Sequence, residues 1–321
     1  MQAVVISAPG TLVVESFPDP VAKPGEVLVE LKAAALNRRD LGVRKGTSPL
    51  PLPFVLGSDG AGIRRDTGEE VVILPSIAWG EREAAPGPAF RILGGADNGT
   101  CAELIAIPEE NLFPKPKRLS WEEAAAFPLA ALTAWRALFT KGGVQSGSTV
   151  VILGAGSGVS TFAVQLAVQA GARVLVTSST QAKIDRALAL GASAGVSYLE
   201  GDWAAGILEL TGGAGADVVI DSVGATWPDS LRCLRKGGRL VVFGATGGDL
   251  VEVSARALFF SQLEIRGTTM GSPREFAALL GGIESGSWAP VIDSVRPLAE
   301  TAAMLARLES AEQFGKLVLT V

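Results

Sequence analysis

The sequence predicts an α/β protein of two domains, in which a parallel sheet covered by helices lies between two parts of a smaller β-rich domain. Strand-like and helix-like segments alternate through the middle of the chain, which is typical of a doubly wound parallel sheet. Short β segments between Pro/Gly turns fill the first third, which favours an irregular β-barrel. The chain has 321 residues, too many for one ordinary core.

The predicted boundaries enclose a first part of the β-rich domain at 1–120, a central domain at 121–265, and a return to the β-rich domain at 266–321. In the first part, the strand at 27–32 follows a Pro-Gly turn. Gly/Pro-rich residues 75–99 predict a long surface loop.

The central domain is predicted from a change of texture at Ser120. Ser120 and Glu123 have capping-box spacing, and an Ala-rich helical run follows them. After that run, strands are predicted at 149–153, 173–177, 217–221 and 239–243, and helices at 161–170, 183–190 and 227–234.

Composition excludes several classes of function. The net charge is −5 and no Lys/Arg run is present, so we expect no nucleic-acid partner. The apolar runs are far shorter than a membrane span, and the N-terminal residues show no signal-peptide pattern, so we expect no membrane partner and a cytoplasmic location. The chain has no histidine, which excludes a Ser-His-Asp hydrolase and a His-ligated zinc enzyme.

A glycine-rich turn follows the first strand of the central domain. Gly154, Gly156, Ser157, Gly158 and Val159 form it, and small residues there allow backbone N–H groups to approach a pyrophosphate at a helix N-terminus. The third glycine of the G-x-G-x-x-G pattern is replaced by valine. The strand before the turn, the helix after it and the next strand nevertheless favour a Rossmann dinucleotide-binding domain.

The end of the second strand indicates which dinucleotide is bound. Ser178, Ser179 and Lys183 lie where an NAD enzyme usually carries an acidic residue, and the first carboxylate is Asp185. Hydroxyls and an ammonium suit a 2′-phosphate, so NADP(H) is favoured over NAD. The alternative is that the two serines only cap the next helix.

Several longer motifs support a resemblance to a known family. They are Lys23–Val29, Ala35–Asp40, Val55–Gly62, Leu132–Leu138, Asp221–Gly224, Gly237–Gly244 and Phe314–Val318. Across essentially its whole length, the chain resembles the medium-chain dehydrogenase/reductase superfamily, and within it the quinone oxidoreductase-like branch that is often labelled zinc-type alcohol dehydrogenase.

The resemblance implies a GroES-like β-barrel substrate domain joined to a Rossmann domain, with NADP in the cleft between them. It places Asn37 and Thr133 near the nicotinamide and Tyr198 beside the adenosine phosphate. Val223 and Phe243 are core residues in the alternative interpretation, and Tyr198 an exposed strand residue. The cofactor-binding positions that the resemblance implies are Asn37, Thr133, Gly154, Gly156, Ser157, Gly158, Val159, Ser178, Ser179, Lys183, Tyr198, Val223, Phe243, Gly244, Ala245, Met270, Phe314 and Lys316.

The resemblance also indicates where the chain departs from its zinc-dependent relatives, which use Cys, His and Cys as catalytic zinc ligands. The matching positions here are Asn37, Ser58 and Leu129, none of which supplies a thiolate or an imidazole. Asp40 and Asp59 match carboxylates beside that zinc. A shorter loop at Gly80–Gly95 replaces the lobe that holds a structural zinc in such relatives. We therefore expect no bound metal.

Without a metal, the expected reaction is hydride transfer to an acceptor that is already activated, such as a quinone or an α,β-unsaturated carbonyl. Asn37, Arg38, Asp40 and Ser58 are the candidate catalytic residues, with Asn37 positioning the nicotinamide or the substrate. Bulk water is the preferred proton donor, because Asp40 would need a raised pKa to donate near neutral pH.

Two other functions remain open at this stage: a zinc-free alcohol or aldehyde dehydrogenase, and a non-catalytic NADP-binding sensor or structural protein. The resemblance also suggests a homodimer formed through an edge strand at Gln262–Gly267. An ordinary internal strand is the alternative for that segment.

Overall fold

The computed structural model describes residues 1–46, 51–286 and 288–321. The chain divides into two compact units: unit 1 is Met1–Leu132 with Gly271–Val321, and unit 2 is Thr133–Met270. These limits differ from the predicted boundaries after residues 120 and 265. The first Ala-rich helix, at Trp121–Ala126, packs on strands of unit 1, so it belongs with the β-rich part of the chain.

The described residues form strands in both units, and the extended segments agree with most of the predicted positions. The strands are β1 (Gln2–Ala8), β2 (Thr11–Ser16), β3 (Glu26–Leu36), β4 (Phe54–Val55), β5 (Asp59–Arg64), β6 (Glu70–Ile73), β7 (Ser76–Ile77), β8 (Arg91–Ile92), β9 (Leu104–Pro108), β10 (Leu112–Pro114), β11 (Thr149–Ile152), β12 (Arg173–Ser178), β13 (Ala194–Ser197), β14 (Ala216–Asp221), β15 (Leu234–Val242), β16 (Glu264–Gly267), β17 (Ile292–Pro297) and β18 (Lys316–Thr320).

The helices lie mostly in unit 2 and at the end of the chain. They are α1 (Arg38–Lys45), α2 (Trp121–Ala126), α3 (Pro128–Trp135), α4 (Gly158–Gln169), α5 (Gln181–Ala189), α6 (Trp203–Leu210), α7 (Trp227–Arg232), α8 (Ala255–Ser261), α9 (Pro273–Glu284) and α10 (Thr301–Glu309), with a π-helical stretch at Arg136–Lys141. No helix of these described segments is long and apolar enough to cross a membrane.

Unit 1 is organised around the long strand β3. Its neighbours are β5, β9 and β18, all antiparallel to it, and the sheet continues through β6 and β10 on one side and β17 on the other. Ala33, Ala34 and Ala35 on β3 are fully buried. The strand was predicted only to residue 32, but it extends to Leu36 because β18 and β5 both pair with its second half. It therefore ends directly before Asn37.

The predicted surface loop at 75–99 contains more regular structure than expected. Strands β7 and β8 pair within it. The Trp79 ring meets Phe90 edge to face, with ring centroids 5.3 Å apart, and the Trp79 indole N–H donates to the Arg82 carbonyl oxygen at 3.1 Å. An aromatic pair thus provides a small core for this segment.

Unit 2 contains a six-stranded sheet in the order β13-β12-β11-β14-β15-β16, with every neighbouring pair parallel. Strand order reverses between β11 and β14, which is the Rossmann topology predicted from the sequence. The carboxyl end of β11, where the glycine-rich turn begins, lies at this reversal.

Several predicted element limits in unit 2 were wrong. The helix predicted at 227–234 ends at Arg232, because Leu234 pairs with Ala216 and starts β15. The helix predicted from residue 161 begins at Gly158, because the Ser157 hydroxyl caps it. Strand β16 is the last strand in the sheet order, so the Gln262–Gly267 segment supplies an edge strand, one of its two alternatives.

Candidate functional site

Unit 1 holds a buried polar cluster at the ends of three neighbouring strands. Asn37 directly follows β3, Asp59 begins β5 and Lys316 begins β18. The strand register pairs Ala35 with Asp59 and Leu36 with Leu317. Residues that are far apart in the sequence therefore meet at the C-terminal end of β3. We call Asn37, Asp59 and Lys316 the strand-end triad.

The members of the strand-end triad hydrogen-bond to one another. The Lys316 ammonium donates to Asn37 Oδ1 at 2.7 Å and to Asp59 Oδ2 at 2.9 Å, and Asn37 Nδ2 donates to Asp59 Oδ2 at 2.9 Å. Asp59 Oδ1 accepts from the Leu129 backbone N–H at 2.7 Å. Lys316 is 2% exposed and Asp59 is fully buried, so this ion pair lies in a region of low dielectric.

Asp40 lies next to the triad on the first turn of α1. Its Oδ2 accepts from the Asn37 backbone N–H at 2.7 Å, while Oδ1 is buried without a hydrogen-bond partner among the described residues and lies 4.0 Å from an Arg39 nitrogen. Burial raises the pKa of Asp40 from 3.8 to about 6, although Arg39 and Lys316 oppose the shift. Because Asp40 is 0% exposed, its carboxyl contacts no bound molecule directly.

Ser58 is fixed by hydrogen bonds on both sides. Its hydroxyl accepts from Arg39 at 2.6 Å and donates to the Leu93 carbonyl oxygen at 2.7 Å. Gly57, just before it, has φ +106°, and a Cβ there would lie 2.6 Å from the Cys101 sulfur. Only glycine fits this backbone, so the turn that carries Ser58 is closely packed.

Arg38 does not join this cluster. Its guanidinium is exposed and donates to the Leu308 carbonyl oxygen at 2.9 Å, which anchors it to the end of α10. Arg39 is instead the arginine that reaches Ser58 and lies beside Asp40.

Sequence reasoning named Lys316 only as a cofactor-binding position and did not predict its hydrogen bonds to Asn37 and Asp59. The sequence did indicate that Lys316 needs a partner, because a lysine that begins the apolar segment Lys316–Thr320 carries a buried charge if the strand is internal. The partner itself was not identifiable, because it is separated from Lys316 by most of the chain.

The glycine-rich turn of unit 2 has the backbone geometry that a pyrophosphate needs. Gly154 and Gly156 have φ values of +70° and +110°, and a Cβ on Gly154 would meet nothing within 4 Å. Ser160 braces the turn from inside, because its hydroxyl donates to the Gly154 carbonyl oxygen at 2.9 Å. Ser157, Gly158 and the partly buried Val159 form the start of α4, so these residues fit a dinucleotide.

The residues predicted for the adenosine phosphate differ in their availability. The Ser178 hydroxyl is buried and donates to the Ala155 carbonyl oxygen at 3.0 Å, so its hydrogen is already used within the fold. Ser179 is partly buried, and Lys183 lies on the first turn of α5 after Thr180, which caps that helix. Tyr198 is 44% exposed and follows β13.

Asp221 organises the two loops that follow β14 and β15. The fully buried carboxylate accepts from the backbone N–H groups of Val223 and Gly224 at 2.6 and 3.1 Å, and from the hydroxyls of Thr226 and Ser230 at 2.9 Å. The backbone of the loop that follows β15 is hydrogen-bonded back to the loop after β14. Four of the predicted cofactor-binding residues lie in these loops: Val223, Phe243 and Gly244 are partly buried, and Ala245 is exposed.

The remaining predicted cofactor residues lie in both units. Thr133 and Met270 are the buried terminal residues of unit 2, and Met270 has φ +47°. Phe314 is a buried residue of unit 1, where its backbone N–H donates to Asp293 Oδ1 at 3.0 Å.

Metal-binding chemistry is poorly represented in this structure. The described residues contain no group of three or more His, Cys, Asp or Glu side chains arranged to hold a metal ion. Burial raises the pKa of the Cys101 thiol, and the neighbouring carboxylates of Asp40 and Asp59 raise it further. The residues beside the strand-end triad therefore do not fit a zinc ion.

Asp40 predicts a pH dependence of stability. Its folded-state pKa of about 6 lies above the ordinary value of 3.8, so its favourable contribution is complete below about pH 4 and is lost as pH rises through about 6. Linkage gives a loss of about 3 kcal/mol. We expect urea unfolding at about pH 4 and pH 7.5 to show Asp40→Asn gaining about that much relative to the unsubstituted chain at the higher pH.

Asp249→Asn, in an exposed loop, removes one carboxylate away from the cluster and is the matched control for this experiment. An Asp40→Asn difference that stays the same at both pH values would contradict the assignment.

Comparison with known proteins agrees with both units. Residues 23–117 match the alcohol dehydrogenase GroES-like domain family and residues 158–285 match the zinc-binding dehydrogenase family. The fold class predicted from the sequence, a GroES-like domain with a Rossmann domain, is confirmed.

Individual relatives resemble the chain over nearly its whole length. A zinc-type alcohol dehydrogenase-like protein of Schizosaccharomyces pombe is 38% identical, covering 93% of this chain and 91% of the relative. A quinone oxidoreductase of Pseudomonas aeruginosa is 35% identical, covering 93% and 92%. A crystal structure of an NAD-dependent alcohol dehydrogenase is 43% identical, covers 100% of both chains and superposes with a TM-score of 0.95. The chain therefore belongs to the medium-chain dehydrogenase/reductase superfamily of nicotinamide-dependent oxidoreductases.

Proposed function

We propose that this protein is a zinc-independent, NADPH-dependent oxidoreductase that reduces a quinone or an α,β-unsaturated carbonyl. The observation that carries the proposal is the strand-end triad. The positions matched to zinc ligands hold Asn37, Ser58 and Leu129, and the ammonium of Lys316 lies against Asn37 and Asp59. A buried ammonium there repels a divalent cation, so the chemistry is expected to need no metal.

The proposed acceptor class is supported by the residues at the three positions matched to zinc ligands, Asn37, Ser58 and Leu129, none of which is a strong electrophilic catalyst. A bound NADPH supplies the hydride, and the chain's own residues orient the reactants and exclude water. A quinone or enone takes hydride at a conjugated carbon and needs only hydrogen bonds for the resulting oxyanion. A simple ketone or aldehyde needs stronger polarisation of its carbonyl.

The proton that completes the reduction is proposed to come from water. Asp40 has a pKa of about 6, near the value that suits a general acid, but its side chain is completely buried. A general acid must lie within hydrogen-bond reach of the atom that it protonates. The buried carboxyl of Asp40 instead accepts a hydrogen bond from the Asn37 backbone N–H.

A second candidate function is zinc-free oxidation of an alcohol or reduction of an aldehyde. The observation that favours it is the 43% identical crystal structure of an NAD-dependent alcohol dehydrogenase. It differs from the first proposal in both the acceptor and the cofactor.

One assay separates the two candidates. We expect the purified protein to oxidise NADPH with quinones or enones, to turn over simple alcohols poorly, and to keep its rate after prolonged treatment with a chelator. Metal analysis of the same sample should find no stoichiometric zinc. Turnover confined to alcohols or aldehydes, or activity that disappears with the chelator and returns with zinc, would contradict the proposal.

The preference for NADPH is supported by the end of β12. Ser179 directly follows this strand and Lys183 lies on the first turn of α5. The next carboxylate in the sequence is Asp185, also on α5. Because the Ser178 hydrogen is used by the Ala155 carbonyl oxygen, we propose that Lys183 supplies most of the attraction for a 2′-phosphate.

Lys183→Met tests this cofactor assignment. We expect the dissociation constant of NADPH to rise about tenfold, equivalent to about 1.4 kcal/mol, while that of NADH changes little, because NADH has no 2′-phosphate. Fluorescence titration of both cofactors measures the ratio. Arg186→Met, later on the same helix, is the control, and equal losses for NADPH and NADH in Lys183→Met would refute the assignment.

We also propose a homodimer that forms through strand β16. This strand ends the sheet, and an edge strand of unpaired backbone groups is usually covered. Phe259 and Phe260, on the helix directly before it, are 63% and 60% exposed. Sedimentation should give twice the 33.0 kDa chain mass, and a monomer at micromolar concentration would exclude this assembly.

A further inference from the structure

We propose that Arg39 forms an anion-binding site in unit 1, where the Nε–H and Nη2–H groups of its guanidinium bind a carboxylate, and that acceptors carrying a carboxylate are therefore preferred. The residues that form this site all belong to unit 1. Only the preference among acceptors rests on the proposed function.

One side of the Arg39 guanidinium is held by the fold. Its Nη1 group donates to Ser58 Oγ at 2.6 Å and to the carbonyl oxygens of Leu93 and Gly94 at 3.0 and 3.3 Å. These acceptors lie on two segments, the turn before β5 and the residues that follow β8. All three are uncharged, so they orient the guanidinium without neutralising it.

The opposite side of the guanidinium carries Nε–H and Nη2–H, and we call it the free edge. These two nitrogens donate to none of the described residues, and neither is a completely buried atom. The side chain is 25% exposed. The Nε–H and one Nη2–H of a guanidinium point in the same direction, and this planar fork matches the two oxygens of a carboxylate. The fold therefore presents the edge of Arg39 that suits bidentate binding.

The segment that follows β8 leaves the free edge uncovered. Gly95 lies beside it, and a Cβ added to Gly95 would be 3.2 Å from Nη2, so a larger residue there would crowd the edge. The one acid of residues 91–97 is Asp97, and its carboxylate is paired with Arg91. This segment therefore supplies no carboxylate in the place that a bound anion would take.

The charge of Arg39 is only partly balanced by the protein. Burial lowers the pKa of Arg39, and the carboxylates of Asp40 and Asp59 offset this shift incompletely. Asp40 Oδ1 is 4.0 Å away, beyond hydrogen-bond distance, and its closest approach is to Nη1 and not to the free edge. A guanidinium stays protonated in a protein. An anion at the free edge would therefore form charge-assisted hydrogen bonds with an incompletely paired cation.

A carboxylate suits this site better than a phosphate does. The ammonium of the neighbouring strand-end triad is already bonded to Asn37 and Asp59, so the guanidinium of Arg39 acts alone. One guanidinium matches the single charge of a carboxylate, whereas a phosphate group carries more than one charge near neutral pH. Because Ser58 is both a partner of Arg39 and a candidate catalytic residue, we expect the carboxylate to lie close to the conjugated system of the acceptor, as it does in β-acylacrylates.

Calorimetric titration of the full chain measures the site without any reaction. The probes are β-benzoylpropionate and its primary amide, which share one skeleton and differ in the charge of a single planar group. We expect the carboxylate to bind about tenfold more tightly, roughly the value of one charge-assisted hydrogen bond. Inorganic phosphate is added in competition and should displace the carboxylate only weakly.

Three variants separate the free edge from the side of Arg39 that is held by the fold. Arg39→Met removes both sides and should abolish the preference. Arg39→Lys keeps a charge and donors for Ser58 but lacks the planar fork, so it should lose most of the preference. Gly95→Ala keeps the guanidinium and crowds its free edge, so it should weaken binding of the carboxylate and not of the amide. Arg274→Met, which removes an exposed arginine from α9, is the matched control.

The inference is overturned if the unsubstituted chain binds the two probes equally, or if phosphate displaces the carboxylate at a lower concentration than β-benzoylpropionate itself. It is also overturned if any folded variant of Arg39 or Gly95 keeps the full preference. Should Arg39→Met fail to fold, the other two variants still decide. A loss of equal size in Arg274→Met would show an effect of net charge alone and would count against the site.

The preference among acceptors is tested in turnover. With NADPH, β-benzoylacrylate should have a kcat/KM about tenfold higher than that of its primary amide, and Arg39→Met should remove this difference by raising the KM of the acid. Equal losses for both acceptors would assign Arg39 to the oxyanion of the product and would overturn the preference.

The outcome is separable from the proposed function. A chain that prefers the carboxylate probe but reduces no quinone or enone would remove the proposed acceptor class and leave the anion site standing. A chain that reduces β-benzoylacrylate and its amide equally well, and binds the two probes equally, would remove only this inference.

Discussion

The buried ion pair between Lys316 and Asp59 is the interaction on which the polar interior of unit 1 depends. Burying two charges is costly, and the pair persists only because both partners are also hydrogen-bonded, to Asn37 and to the Leu129 backbone. Removing one partner would leave the other charge buried and unpaired. The pair lies where β5 and β18 both pair with β3, so the strand register that builds the sheet also brings the two charges together.

Unit 2 also contains a buried aspartate, but its hydrogen-bond partners are uncharged groups. The Asp221 carboxylate is fully buried without a cation, and four hydrogen bonds from backbone N–H groups and hydroxyls satisfy it. Hydrogen bonds of this kind fix the chain around the carboxylate. In both units a buried aspartate therefore holds the segments next to a strand end, where the candidate ligand-binding residues lie.

The strand-end triad also connects the family's chemistry with this chain's own residues. The relatives of this chain include proteins named alcohol dehydrogenase-like and quinone oxidoreductase. Membership of the family therefore does not by itself identify the class of substrate. The strand-end triad is relevant to the substrate class because the Lys316 ammonium already supplies the positive charge that the buried Asp59 carboxylate needs. Asp40, which has no such close partner for Oδ1, has a raised pKa instead.

The sequence by itself determined the fold class, because the alternation of apolar strands and helices and the glycine-rich turn after β11 are local patterns. The sequence also shows that the chain has no histidine. The family resemblance placed Asn37, Asp40, Ser58 and Asp59 together, at positions matched to the zinc site of the relatives. Where helices begin and end was less certain, since Leu234 pairs in a strand and Ser157 caps α4.

Only the tertiary structure decided which of these side chains meet. Arg38 binds the Leu308 carbonyl oxygen, Arg39 reaches Ser58, and Lys316 lies against Asn37. Asn37 and Lys316 are separated by 279 positions, and no local pattern specifies such a contact. It depends on the register of β18 against β3, which the burial of both strands fixes.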